Sequence, residues 1–152
     1  MLVLDVGCGN YPRGHVNIDL YKPKTVHGII FVLGDAHCLP FPDNSFDIVF
    51  SNAVLEHVDN PIIMLKECLR VTKSKVEINV PHRYWREKLS LSYGDSKIHK
   101  NRFNVQWFRQ LLTGLAYNIS VNYIGKPHRL FPLFLFPNMI TITIYKDNTY
   151  VN

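Results

Sequence analysis

Gly7 and Gly9, one residue apart, and the carboxylates of Asp19 and Asp35 are the residues whose type and spacing point to ligand chemistry. A turn with two glycines lets the backbone bend sharply and lets a ligand approach with no Cβ in the way. A carboxylate ending the next strand can accept hydrogen bonds from two ribose hydroxyls, as in the nucleoside site of a doubly wound sheet. Asp35 comes after a third apolar stretch and falls in the same zone, where α/β sheets bind ligands. The turn is not a phosphate loop. Asn10-Tyr11-Pro12-Arg13-Gly14 comes next with no long helical pattern, and the third glycine of the dinucleotide fingerprint is missing. The P-loop lysine and hydroxyl are missing too. The implied ligand is a nucleoside without a pyrophosphate.

These groups need strands to hold them. Leu2-Val3-Leu4-Asp5-Val6 reads as an apolar strand running into Gly7-Cys8-Gly9-Asn10, and Val16-Asn17-Ile18-Asp19-Leu20 reads as the next strand. Further strands are expected at 30–34, 46–51, 75–80, 119–125 and 139–146, bounded by turn residues. Helices are expected at 60–72, after Asp59-Asn60-Pro61, and at 104–116, where Phe108, Leu111, Leu112 and Leu115 form a stripe. Residues 82–103 and 126–137 read as long irregular segments beside the ligand mouth, with Tyr84, Trp85, Phe131, Phe134 and Phe136 lining an acceptor pocket or capping the core.

Length and composition bound the answer. A chain of 152 residues with 47% hydrophobic content is one domain, 1–152, with enough apolar material for a core. No apolar run approaches a membrane span, and no basic leader precedes the first strand, so the expectation is a cytoplasmic protein with no membrane partner. Cys8, Cys38 and Cys68 have no metal spacing and read as reduced thiols, with no metal site. The formal charge of +5 permits nucleic acid as a partner without requiring it. His82-Arg83-Tyr84-Trp85-Arg86-Glu87-Lys88 interleaves bases and aromatics, which fits either a nucleic-acid contact or a solvated loop.

Leu4-Asp5-Val6-Gly7-Cys8-Gly9 resembles motif I of the class I S-adenosylmethionine-dependent methyltransferases, of the type 11 kind. Gly34-Asp35-Ala36-His37-Cys38-Leu39-Pro40-Phe41 resembles the adenine-binding segment, 46–58 the fourth strand and the segment after it, and 65–71 the next helix. Four such segments in order are a far stronger signal than one glycine turn. The resemblance implies S-adenosyl-L-methionine as cofactor, held by Asp5, Gly7, Cys8, Gly9, Asp19, Leu20, Asp35, Ala36, Asn52 and His57. Asp19 would take the ribose, Asp35 the exocyclic amine and the Ala36 N–H a ring nitrogen. Asp5 fits a role in fixing the turn as well as one near the cofactor's methionine end. Glu56-His57 fits a closing segment over the cofactor and lacks the third partner of a metal or acid–base site.

Methyl transfer asks the protein mainly to align an acceptor with an already activated methyl group. Where the acceptor carries a proton, the base candidates are His99, on a stretch resembling the family's loop after the fifth strand, and His82. Ser51-Asn52-Ala53-Val54 stands where amino methyltransferases of adenine or glutamine carry Asn/Asp-Pro-Pro-Tyr/Phe, so the leading expectation is O-, N- or C-methylation of a small molecule. The alternatives are a cofactor-binding protein without turnover and a nucleic-acid or protein methyltransferase using the basic loops.

The resemblance implies a Rossmann-like α/β fold: a mostly parallel seven-stranded sheet in order 3-2-1-4-5-7-6, last strand antiparallel. Asn10 to His15 and Tyr21 to Ile29 leave no room for helices after the first and second strands, and the chain starts in its first strand. Thr72-Lys73-Ser74-Lys75 replaces the usual Pro-Gly-Gly turn. Val76-Glu77-Ile78-Asn79-Val80 and Ile140-Thr141-Ile142-Thr143-Ile144 alternate, the mark of a sheet packed on one face. The expectation is therefore about two layers, helices mainly on one face. The open face, carrying Val3 and Val49, would leave room for a symmetric homodimer.

Overall fold

The computed structural model describes residues 1–24, 28–81, 100–113, 118–124 and 139–146. The elements run β1 (Val3–Val6), β2 (Val16–Asp19), β3 (Ile30–Leu33), β4 (Phe46–Asn52), α1 (Pro61–Val71), β5 (Thr72–Pro81), α2 (Val105–Leu112), β6 (Asn118–Ile124) and β7 (Met139–Tyr145). They form a seven-stranded sheet in order β3-β2-β1-β4-β5-β7-β6. The pairs up to β4–β5 are parallel, and β7 runs antiparallel to both β5 and β6. Order and strand directions are those expected.

Local chemistry sets the helix ends. The Asn60 side chain accepts from the N–H groups of Ile62 and Ile63 at 3.2 Å, and Pro61 opens the first turn of α1, where its missing N–H costs nothing. At the other end, Lys146 Nζ donates to the carbonyls of Leu69 and Thr72, satisfying acceptors the helix leaves over. Thr72 then starts β5 directly. Residues 72–75, where the family's turn would fall, are already strand. α2 is capped by Asn104, whose side chain accepts from Trp107 N at 2.8 Å.

The register separates the sheet into two unlike faces. Leu4, Val6, Ile18, Val49, Val76, Ile78, Val80, Ile140, Ile142 and Ile144 share one face, and none is more than 1% exposed. Met64, Leu65, Cys68 and Leu69 of α1 and Phe108 and Leu112 of α2, with Phe103 just before it, join them in a single core cluster. The opposite face carries Asp5, Asn17, Phe50, Lys75, Glu77, Asn79, Thr141 and Thr143. Both described helices thus serve one face, and among the described residues the sheet has the expected two layers. Val49, expected on the open face, is a correction: it pairs with Leu4 and Val76, so it points into the helix side. Val3 is on the open face, paired with Ile48.

A short strap covers the β1–β2 part of the open face. Between β1 and β2 the chain has no room for a helix, and residues 10–15 fold back along the strands instead. Asn17, fully buried, accepts from Gly14 N at 2.9 Å and donates to the carbonyls of Gly14 and Ile30. Arg13 N donates to Asp5 Oδ2 at 2.9 Å, while the Arg13 guanidinium lies 5.5 Å from the centre of the Phe50 ring. Gly14 is required by close approach. A Cβ there would sit 2.5 Å from the Val16 carbonyl oxygen and 2.7 Å from the Asp5 nitrogen.

Candidate cofactor site

The carboxyl ends of β1, β2, β3 and β4 open on a cavity of about 440 Å³. Each strand end delivers one part of it. β1 runs into Gly7 and Gly9, both left-handed at φ +74° and +54°. A Cβ on Gly9 would meet nothing within 4 Å, so the backbone faces open space there. Gly7 is different. A Cβ on Gly7 would lie 2.2 Å from Val54 Cγ2, so this glycine makes room for the wall of the cavity as well as adopting its turn.

β2 ends on Asp19, and its carboxylate is tied down at both oxygens. Oδ2 accepts from Gly9 N at 2.8 Å and Oδ1 from Tyr21 N at 3.0 Å. The carboxylate therefore stands at a fixed place against the glycine turn, with lone pairs to spare for hydroxyl donors. Asp5 is 2% exposed and outside the cavity lining. Burial pushes its carboxyl pKa up, against the opposing bond from Arg13 N. Its Oδ2 accepts from Arg13 N, which ties the strap of residues 10–15 to β1, while the Gly7 and Cys8 N–H groups donate to Ile18 O and Gly9 N to Asp19. Cys8 is also outside the lining, 7% exposed, with its thiol pKa pushed up to about 11 by burial and by the nearby Asp5 and Asp19.

After β3, Gly34 N donates to Asp19 O at 3.0 Å, joining the second and third strand ends. Asp35 and Ala36 line the cavity, and so does His37. His37 N and Nδ1 both contact Asp35 Oδ1, at 2.9 and 2.7 Å, and Asn60 N donates to His37 Nε2 at 3.2 Å. The bonds from His37, the backbone one first, hold the Asp35 carboxyl below the usual range.

β4 supplies the far wall. Ala53 turns the chain at φ +56°, a left-handed value rare for a residue with a Cβ, and its N–H donates to Asn79 O at 2.9 Å. Val54, His57, Val58 and Asp59 then line the cavity, with Lys100 at the rim in an ion pair with Asp59. That ion pair holds the exposed Asp59 carboxyl low. Lys100 N and Asn101 N both donate to Glu56 O, and Asn101 Nδ2 donates to Val58 O at 2.7 Å. These bonds fasten the segment before α2 to the turn after β4. Asn52 points elsewhere. Its Oδ1 accepts from Asn79 Nδ2 at 3.2 Å on the open face, outside the lining.

Of the ten residues read from sequence as cofactor contacts, the cavity gathers Gly7, Gly9, Asp19, Leu20, Asp35, Ala36 and His57. His37, Val54, Val58, Asp59 and Lys100 were missed. The apolar spacing of Val54 and Val58 was a signal, but Lys100 arrives through a contact some forty residues away in sequence. His82 and His99, with Tyr84, Trp85, Phe131, Phe134 and Phe136, lie outside the described residues. Among the described residues no cluster of His, Cys, Asp or Glu could hold a metal, and no helix is long and apolar enough to cross a membrane.

A family model described as a methyltransferase domain matches residues 14–78, most of the segment that builds this cavity. The matched stretch is less than half of the 152 residues, and the chain is similar to the S-adenosylmethionine-dependent methyltransferases. The cofactor that goes with this family is S-adenosylmethionine, and the open backbone at Gly9 with two carboxylates on one cavity fits a nucleoside. Among curated methyltransferases, the chain is 46% identical over 52 residues to an uncharacterized methyltransferase of Schizosaccharomyces pombe, covering 34% of this chain and 19% of that protein. It is 44% identical over 52 residues to the demethylmenaquinone methyltransferase of Geobacillus stearothermophilus, covering 34% and 22%. The matched stretch thus spans about a fifth of the length of these relatives. A solved methyltransferase structure from Archaeoglobus fulgidus superposes with TM-score 0.76 at 17% identity, over 95% of this chain and 85% of that one. One from Thermotoga maritima gives 0.71 at 16%, over 96% and 82%. At that identity the likeness shows a shared methyltransferase fold.

Proposed function

We propose that the chain binds S-adenosylmethionine in the cavity at the strand ends and transfers its methyl group to an oxygen, nitrogen or carbon of a small molecule. The observation that carries this reading is the pairing of Asp19 and Asp35 across one cavity whose floor is the Gly7–Gly9 turn. When bound, the cofactor supplies an already activated methyl group. The residues of the chain bind and orient it. Asp19, fixed by Gly9 and Tyr21, receives the ribose hydroxyls. Asp35 and the Ala36 backbone take the adenine edge, and Val54 and Val58 give the apolar wall.

A small-molecule acceptor is supported by relatives named as methyltransferases of demethylmenaquinone. His82 and His99 remain the proposed bases for an acceptor that carries a proton. Calorimetry with S-adenosylmethionine and S-adenosylhomocysteine tests the cofactor. A methyl-transfer screen over small molecules, including quinols, then tests the acceptor, with RNA and protein as further arms. Binding without transfer to any acceptor would favour a cofactor-binding protein without turnover.

A further inference from the structure

We propose that Glu67 and Arg70 of α1 are positioning residues that hold the segment 35–41 in the shape the cofactor needs, although neither lines the cavity. The inference rests on reading the cavity as a cofactor site. The Arg70 guanidinium spreads its donors over four acceptor groups. Nε donates to Glu67 Oε1 at 2.8 Å, and one terminal nitrogen donates to Glu67 Oε2 at 2.8 Å and Leu39 O at 3.0 Å. The other donates to Phe41 O at 2.8 Å and Asp43 Oδ1 at 2.7 Å. Glu67 Oε2 in turn accepts from Leu39 N at 2.9 Å.

Both polar groups of residue 39 are therefore held by side chains of α1, much as a neighbouring strand would hold them. Leu39 itself is buried in the core, so the segment is pinned from both sides. At its other end, His37 receives the N–H of Asn60, the cap of α1. Asp35 and Ala36 hang between His37 and Gly34, whose N–H donates to Asp19 O. A solvated ion pair alone contributes little. Here the bonds to two loop carbonyls are what the guanidinium adds, and its planar fork makes it irreplaceable by an ammonium.

The test combines hydrogen exchange of the ligand-free chain with S-adenosylhomocysteine calorimetry, on the parent and on E67Q, R70K, D43N and the double exchange E67R/R70E. The expected result for E67Q and R70K is faster exchange at 35–41, parental exchange in α1, and affinity lower by roughly tenfold, the scale of one lost hydrogen bond to a charged group. D43N should bind like the parent, because Asp43 touches only the outer edge of the fork. E67R/R70E keeps an ion pair but presents no donor to Leu39 O or Phe41 O, so it should stay weak. Restored affinity in that double variant would reduce the pair to a simple salt bridge and overturn the proposal. So would parental exchange at 35–41 in both single variants, or faster exchange with unchanged affinity. A parent that binds no S-adenosylhomocysteine would remove the proposed function and the affinity half of this inference, while the exchange data would still decide whether the clamp holds the segment.

Discussion

The two faces of the sheet solve the same problem by different physics. On the helix side, ten β-branched and aliphatic residues are almost fully withdrawn from water under α1 and α2. Each such burial contributes about 1.5–3 kcal/mol. The open side carries a ladder of polar groups that satisfy one another. Asn79 donates to Asn52, Thr141 donates to Asn79 at 2.6 Å, and Lys75 pairs with Glu77. Among the described residues, the strap of residues 10–15 covers the β1–β2 end. The difference teaches that strand positions facing away from the described helices can be written in hydrogen-bonding residues that satisfy one another. Asp5 and Asn17 anchor the strap to the strands beneath it.

The largest expected effect contrasts neighbours in β7. Ile142→Ala, on the helix face, should lower unfolding stability by about 2–5 kcal/mol through the cavity it leaves. Thr143→Ala, one residue on and facing the other way, should cost under about 1 kcal/mol. Equal losses in urea unfolding would erase the distinction between the faces.

A second variant asks whether the strap replaces a helix. Asn17→Ala leaves the Gly14 and Ile30 groups without their partner and should cost about 1–3 kcal/mol. If the strap is support for the turn, cofactor affinity should fall along with stability. Affinity retained at full strength would show that the turn stands without it.

Asp19→Ala should move affinity and stability apart. Loss of the ribose acceptor should weaken S-adenosylhomocysteine binding by about 1–3 kcal/mol, with a much smaller change in melting temperature. Calorimetry on the variant that matched the parent would sink the assignment of Asp19.

The smallest effect is a pH dependence. Burial raises the folded-state pKa of Asp5 above that of the unfolded chain. Its contribution to stability is then fully present below the ordinary aspartate pKa and is lost as pH rises through the folded value. Asp5→Asn should remove that component, flattening the fall in stability over this window while keeping an acceptor for Arg13 N. An unchanged slope across the acid range would mean that Asp5 titrates as it does in the unfolded chain.

Much of this protein is local, and local features were readable. Alternation in 76–80 and 140–144 gave a sheet packed on one face, because side chains in a strand point alternately to opposite sides whatever lies beyond them. Asn60-Pro61 gave the start of α1, because a cap and a first-turn proline act within three residues. Gly7, Gly9, Asp19 and Asp35 were readable as one site, because the ends of adjacent parallel strands must come together. Only the tertiary structure decided the rest. Val49 went to the helix side because pairing register is fixed across strands, not along one. Asp5, under the strap, and Asn52 both went to the open face, because residues near a strand end can share a sequence neighbourhood with the cavity lining and still point away from it. Lys100 reached the cavity rim, and Arg70 reached the carbonyls of residues 39 and 41, through contacts that span some thirty to forty residues. Such contacts depend on how the elements pack, and no pattern along the chain encodes them.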